Sequence, residues 1–311
     1  MPAEAPEPRQ WRQILDRVAS TPWIEFSVFL FPAVLFYMVF TAYPVARTFI
    51  NSFFVITPLG SEYIGFENYR EIIFEDWVFW KAVGNTLIWS IVGPIVDVGL
   101  GLILALVIYS GVRLGAFYRF VWFAPVLISN VVAGILWLWI YNYDWGVLNS
   151  ALRAVGLGDW AMSWLGNTST ALGAVIAAHS WKWAGFDMVV CLAALYALPR
   201  EVLDASELDN CGWFAKTYFV IIPMIKRTLL NLTILAFIGR MKIFDLVWVM
   251  TTGGPLWSTE TVSTYVYKRA FNWSTFDLGY PSALGSLWSL VIIVVVILLT
   301  RIVSSKERLE Y

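Results

Sequence analysis

VGNTLIWSIVGPIVDVGLGLILALVIY, residues 83–109, is the stretch that decides the fold of this chain. It is apolar almost throughout, and Asp97 is its single charged residue. About 20 consecutive apolar residues in a helix are enough to cross the hydrocarbon core of a bilayer. We therefore predict that residues 83–109 form a membrane-spanning helix.

Five further apolar stretches resemble this one in length, and we predict their bounds as 24–46, 117–141, 171–198, 228–250 and 283–303. The composition agrees, because 59% of the 311 residues are hydrophobic and only 14% are charged, against about a quarter in soluble domains. The sequence predicts an all-α membrane protein with six transmembrane helices. They fill residues 24–303, between an N-terminal segment (1–23) and a C-terminal tail (304–311).

Several classes of protein are excluded by residue usage. With 21 Lys+Arg against 22 Asp+Glu, there is no surplus of cations to bind nucleic acid. His179 is the only histidine, and Cys191 and Cys211 form no CxxC or CxxH pattern. The residues needed for a multi-histidine or cysteine metal site, or for a histidine-based catalytic triad, are therefore too few. No G-x-x-x-x-G-K-[ST] run is present, so the chain carries no P-loop for ATP. These absences predict that it is not an enzyme.

Basic residues are distributed unequally between the two sides of the predicted spans. Twelve lie on the side of the termini and six on the opposite side. Since positively charged loops stay in the cytoplasm, both termini are predicted to be cytoplasmic. The loop between the fourth and fifth spans is then cytoplasmic as well.

This loop, residues 199–226, reads PREVLDASELDNCGWFAKTYFVIIPMIK. Charged and apolar residues alternate as in two short amphipathic helices, and Asn210 and Gly212 are suited to a turn between them. An ordinary polar connector is the alternative. The length and apolar character of the loop favour a docking surface for another protein.

The loop resembles the EAA loop of bacterial ABC-importer permeases, roughly E-A-A-x-x-D-G-A followed by an aromatic stretch that ends in hydrophobic-Pro. The matching positions, with Asp in place of Glu at 204 and Asn in place of Gly at 210, are Asp204, Ala205, Ser206, Asp209, Asn210, Cys211, Gly212 and Pro223. Asn is the next-best residue for a left-handed turn. Residues 63–87 and 242–271 also resemble loops of this family, in its sugar-importer branch with the maltose and glycerol-phosphate permeases.

The resemblance implies a type I ABC importer permease fold, with residues 200–224 as the coupling loop. It implies a multi-pass chain of the inner (plasma) membrane, surrounded by lipid, that forms half of a carbohydrate pathway with a second homologous permease. Two cytoplasmic ATPases would bind ATP and Mg, so this chain would hold no cofactor, and an external solute-binding protein would deliver the substrate. Asp204 and Asp209 would pair with ATPase basic groups or cap the short helices, while Trp213, Phe214 and Phe219 would pack at the base of the helix bundle. The alternative is a proton-coupled secondary transporter, with Asp97 or Asp187 as proton carrier.

Charged residues at membrane depth usually face a cavity or a partner. We expect Lys182 and Asp187 either to form an internal salt bridge or to face the pathway. Lys242 and Asp245, three residues apart, are expected to pair along one helix face.

Arg240 stands, by its spacing from Gly253-Gly254-Pro255, where the resemblance places a sugar contact. Its planar fork suits a phosphate, sulfonate or carboxylate, which favours a carbohydrate derivative with an anionic group. Alternatively, Arg240 snorkels or pairs with an aspartate of the partner permease. Trp181 and Trp183 point in different directions, so at most one should face the pore. The expected substrate pathway is lined by Arg240, Ala236, Gly239, Ile243, Trp181, Trp183, Lys182 and Asp187.

Overall fold

The structure is a computed structural model that describes residues 22–272 and 276–307. Its helices are α1 (Pro22–Tyr37), α2 (Tyr43–Asn51), α3 (Glu67–Phe74), α4 (Trp77–Tyr109), α5 (Gly115–Phe123), α6 (Asn130–Ile140), α7 (Val147–Ala154), α8 (Ala171–Tyr196), α9 (Arg200–Leu208), α10 (Trp213–Ala215), α11 (Ile222–Arg240), α12 (Asp245–Met250), α13 (Val262–Tyr267) and α14 (Gly279–Glu307). Short 3-10 turns lie at Ala124–Leu127 and Gly158–Trp160, and π-helical turns lie at Met38–Ala42, Lys216–Ile221 and Lys268–Asn272.

The all-α prediction is confirmed. In the described part of the chain, the only strands are β1 (Phe54–Thr57) and β2 (Gly60–Tyr63), an antiparallel hairpin that pairs Phe54 with Tyr63. Most of the predicted N-terminal segment (1–23) and the end of the predicted tail (304–311) lie outside the described residues.

Among the residues that the structure describes, four helical stretches are long and apolar enough to cross a membrane: Phe29–Asn51, Trp77–Tyr109, Trp213–Arg240 and Gly279–Arg301. A fifth is possible if the bent pair Gly115–Leu127 and Asn130–Ile140 counts as one span. The predicted fourth span corresponds to α8, a helix of 26 residues. Lys182 and Asp187, among other polar residues of α8, lower its hydropathy. The six predicted spans therefore all have helical counterparts, although the count of six is approximate.

The third predicted span (117–141) is not straight, because its two halves meet at an angle of 106°. Pro125 lies in the 3-10 turn that ends the first half, and proline cannot continue a regular helix. The side chain of Ser129 then accepts a hydrogen bond from the backbone N–H of Val132 at 3.2 Å and begins α6 as its N-cap.

The bounds predicted for the fifth span (228–250) are wrong at both ends. The helix begins at Trp213 and runs through the π turn Lys216–Ile221 into α11. Pro223 does not stop it, since a neighbouring π turn can accommodate the missing N–H of a proline. The helix ends at Arg240 in tight turns, where the N–H of Ile243 bonds to the carbonyl of Arg240 at 3.1 Å. A short separate helix, α12, follows.

The buried apolar side chains of the described residues form three clusters, and α4 contributes residues to each of them. This helix is therefore the axis of the bundle. Its C-terminal half packs Val98 and Ala105 against Met188 and Leu195 of α8. Trp89, which is fully buried, packs with α6, α8 and α12. The close approach of α4 and α8 requires Gly101, since a Cβ there would lie 2.6 Å from the Cβ of Asp187 and 2.8 Å from the backbone N of Met188.

The N-terminal end of α4 is held by Asp76, its N-cap. One carboxylate oxygen accepts from the backbone N–H of Phe79 at 2.9 Å. The other accepts from the hydroxyls of Tyr265 and Tyr280 at 2.5 and 2.6 Å. Burial and the hydrogen bond to Asp76 raise the pKa of Tyr265. One carboxylate thus joins the starts of α4 and α14 to α13.

The packing of α4 on α8 gives a test. We expect Gly101→Ala to lower the stability of the folded chain by about 1–3 kcal/mol, the usual cost of overpacking. Gly99→Ala, on the same helix, is the matched control, because a Cβ at Gly99 meets no atom within 4 Å. Melting temperatures of the two variants in detergent check this expectation. Equal melting temperatures would contradict the close contact.

Candidate functional site

A buried ion pair joins α4 to α11. Nη2 of Arg240 donates to Oδ2 of Asp97, and Nη1 donates to the carbonyl of Ala236 at 3.1 Å. Both side chains are buried, and Nδ1 of His179 lies 3.9 Å from the same Asp97 oxygen. Gly93, one turn before Asp97, leaves room for the ring of Trp89 beside this pair, since a Cβ there would lie 3.0 Å from Cδ1 of Trp89. Arg240 thus has a carboxylate partner in its own chain, so its charge is compensated without the aspartate of a partner permease that the alternative invoked.

The two other expected ion pairs are absent from the described part of the chain. Lys182 and Asp187 do not meet, because five residues separate their side chains by about 140° around a helix. Nζ of Lys182 lies instead 4.7 Å from the ring centre of Trp183.

Lys242 and Asp245 do not pair either, because the chain turns between α11 and α12 and has no continuous helix face there. A carboxylate oxygen of Asp245 accepts from Nδ2 of Asn130 at 3.1 Å.

A cavity of about 420 Å³ lies where α8, α11 and α12 meet. Six of the residues expected along the substrate pathway line it, namely Trp183, Asp187, Ala236, Gly239, Arg240 and Ile243. Trp181 and Lys182 do not. Trp181 packs edge-to-face on Trp137, with ring centres 5.7 Å apart.

Sequence reasoning missed other lining residues, including His179, Phe186, Asn130 and Phe244. His179 and Phe186 could have been found, since they lie one turn from Trp183 on the same face of α8. Asn130 and Phe244 lie at the ends of helices, where periodicity gives no signal.

The cavity has a buried wall and an exposed mouth. Asp187, Arg240 and Ala236 are at most 8% exposed, whereas Leu235 is 68% exposed at the rim. Lys242 and Asp245 are also exposed. The cavity is therefore closed by this chain on one side and open on the other.

A second surface is formed by α9 and the turn that follows it. Leu203 and Ser206 face inward and are buried, and the hydroxyl of Ser206 donates to the carbonyl of Leu203 at 2.6 Å. Asp204, Ala205 and Asp209 face outward and are exposed. Of the eight positions that match the EAA pattern, Ser206 is thus the one that the fold buries.

The turn after α9 has the predicted shape. Asn210 adopts φ = 56°, the left-handed conformation that Asn tolerates well. The N–H of Cys211 bonds back to the carbonyl of Ser206 at 3.1 Å. Nζ of Lys216 donates to Glu207 at 2.7 Å, and this hydrogen bond lowers the pKa of Glu207. The turn is therefore fixed to the helix that leads into the membrane.

The aromatic residues after this turn do not pack at the base of the bundle, so that expectation is wrong for this chain. Trp213, Phe214 and Phe219 are 51%, 82% and 73% exposed. The inward face of the same segment carries the smaller Thr217 and Ile221, which are buried. The aromatic side chains form an exposed apolar face instead.

Within residues 22–272 and 276–307, no three His, Cys, Asp or Glu side chains come together in a way that could hold a metal ion.

Three curated relatives are similar to the chain over most of its length. The Probable ABC transporter permease protein YurN of Bacillus subtilis is 32% identical, over 83% of this chain and 89% of the relative. The Sulfoquinovosyl glycerol transport system permease protein SmoG of Agrobacterium fabrum is 28% identical, over 98% and 96%. The Lactose transport system permease protein LacF of Rhizobium radiobacter is 31% identical, over 90% and 94%.

A solved structure shows the same fold. It is a chain of a bacterial ABC transporter involved in the import of the acidic polysaccharide alginate, with a TM-score of 0.78 and 21% identity. The match covers 96% of this chain and 99% of that one. At this identity the likeness concerns the fold, which is that of an ABC importer permease.

The family is shown by a match over residues 97–309 to the model described as "Binding-protein-dependent transport system inner membrane component". Nothing in these comparisons supports the alternative of a secondary transporter. The chain therefore belongs to this family of inner-membrane transport components, and it is a permease subunit of an ABC importer rather than an enzyme.

Proposed function

We propose that the chain forms half of the translocation pathway for a carbohydrate, which a periplasmic or extracellular solute-binding protein delivers. The observation that carries this proposal is the one-sided cavity between α8, α11 and α12. Its open mouth would face a second homologous permease, which would complete the path.

The lining of the cavity suits a sugar. Ligand sites are typically about 300–1,000 Å³, mostly apolar, with a few polar groups that fix orientation. Trp183 and Phe244 offer ring faces for the C–H surface of a sugar, while Asn130, Lys242 and Asp245 offer hydrogen bonds to hydroxyls. The names of SmoG and LacF refer to carbohydrates as well.

In this proposal Arg240 braces the cavity wall. Its guanidinium is already bonded to Asp97 and to the carbonyl of Ala236, so its charge is compensated within the chain. The expectation that Arg240 offers a free fork to an anionic sugar is therefore not part of the proposal.

The driving force would come from two cytoplasmic ATPases that bind ATP and Mg. With both termini in the cytoplasm, the outward face of α9 would dock on one ATPase through Asp204, Ala205 and Asp209. The continuous helix Trp213–Arg240 leads from this surface to the cavity. Closure of the ATPases on ATP could then shift the permease between its two states, to the extent that ATP favours one of them.

Asp209→Lys tests the docking surface. We expect the assembled transporter to lose substrate-stimulated ATPase activity by about tenfold or more, because a reversed charge at an interface is strongly unfavourable. The measurement uses the complete complex in vesicles with its binding protein. Asp209→Asn is the matched control and should lose less, since it removes the charge without reversing it. Normal stimulation in Asp209→Lys would contradict the docking role.

The ion pair between Asp97 and Arg240 leads to a separate prediction. Asp97→Asn or Arg240→Gln alone should destabilise the chain by about 3–5 kcal/mol, because each leaves an uncompensated buried charge. The double variant should recover most of that loss. Melting temperatures of the three variants check the coupling, and additive losses would contradict a direct ion pair.

A further inference from the structure

Among the described residues, Asp187 is a charged group on the buried wall of the cavity that has no hydrogen-bond or ion-pair partner. Its side chain lies on the buried wall and is 4% exposed. It makes no hydrogen bond or ion pair with any residue in the described ranges 22–272 and 276–307. Burying a carboxyl without such bonds costs free energy. A ligand group that enters the cavity and bonds this carboxyl would offset that cost.

The other charged side chains of the cavity are either paired or exposed to solvent. Arg240 is bonded to Asp97, and Asp245 is exposed and bonded to Asn130. Lys242 is exposed at the rim, where water screens its charge. The deep part of the cavity therefore carries one uncompensated acidic group.

The position of Asp187 is fixed by the backbone. Gly101 of α4 packs directly on α8 at this residue, and a Cβ on Gly101 would meet the Cβ of Asp187 at 2.6 Å. Lys182, the other buried charge of α8, points about 140° away on the helix. The Cβ of Asp187 is thus held against α4, and its carboxyl points away from the other buried charge of its own helix.

We propose that Asp187 selects the charge class of the substrate. Its carboxyl bonds the hydroxyl or amino groups of a neutral or amine-bearing carbohydrate and disfavours carboxylate, phosphate or sulfonate groups. This inference rests on the proposed function, since it takes the cavity to be part of the path. The family leaves the charge class open: SmoG is named for a sulfonated sugar glycoside and LacF for neutral lactose.

The test is a charge-selective labelling of the cavity in the complete transporter, reconstituted in vesicles. Cys191 and Cys211 are replaced by alanine, and Gly239→Cys supplies a reporter thiol at the cavity mouth, where a Cβ meets no atom within 4 Å. The rates of modification by a trimethylammonium-ethyl and a sulfonato-ethyl methanethiosulfonate are measured on this chain. Their ratio is divided by the ratio for a free thiol.

We expect the cationic reagent to be favoured, and Asp187→Asn to lower the ratio by roughly tenfold, because one negative charge attracts one reagent and repels the other. Asp159→Asn is the matched control. It makes the same chemical change on an exposed carboxyl that does not line the cavity, and it should alter the ratio little. An unchanged ratio in Asp187→Asn would overturn the proposal, as it would show that a partner subunit neutralises this carboxyl.

Protection by sugars separates this inference from the proposed function. Glucosamine and glucose should slow labelling of the reporter more than glucuronate does, and Asp187→Asn should remove that difference. Equal protection by all three sugars in the reporter chain that retains Asp187 would overturn the selection by Asp187. A charge-dependent ratio with no protection by any sugar would support Asp187 as a charge filter, while it would argue against the carbohydrate assignment.

Discussion

A charge within the membrane must meet an opposite charge, a dense set of hydrogen bonds or a cavity, and this requirement organises the bundle. Asp97 and Arg240 satisfy it by joining α4 to α11. Asp187 has no such partner in the described chain and lies instead on the wall of the cavity. The ion pair between Asp97 and Arg240 thus stabilises the cavity wall. The carboxyl of Asp187 is available to bond a substrate that enters the cavity, as we propose.

The same helices connect the membrane interior with the surface at α9. From Trp213 the helix continues through a π turn and α11 to Arg240. Trp213, which follows the turn after α9, and Arg240, which stabilises the cavity wall, therefore belong to one continuous helix. The salt bridge between Glu207 and Lys216 fixes the turn after α9 to the start of that helix. If an ATPase moves α9, as we propose, the motion would reach the cavity wall without passing through a flexible segment.

Much of this could be predicted from the sequence, because its signals are local. Apolar length indicates the spans, Asn210 indicates the left-handed turn, and helical spacing puts Ala236 and Gly239 on the side of α11 that carries Arg240. Pairing across the fold was not accessible in this way. Asp97 and Arg240 are 143 positions apart, and no local pattern distinguishes this pairing from one with a partner chain. Asn130 and Phe244 were not predicted, because they lie at helix ends, next to the bend and to the break after Arg240, where periodicity gives no signal. The exposure of Trp213 and Phe214 could not be read from their apolar character, which fits a core and an exposed contact face equally well.

The most direct test of the account is a structure of the assembled transporter with its transported sugar bound. The account predicts ligand density in the cavity between α8, α11 and α12, with a hydroxyl or amino group at the carboxyl of Asp187 and the pair between Asp97 and Arg240 intact. Ligand density away from this cavity, or Arg240 released from Asp97 and bonded to the ligand, would contradict it.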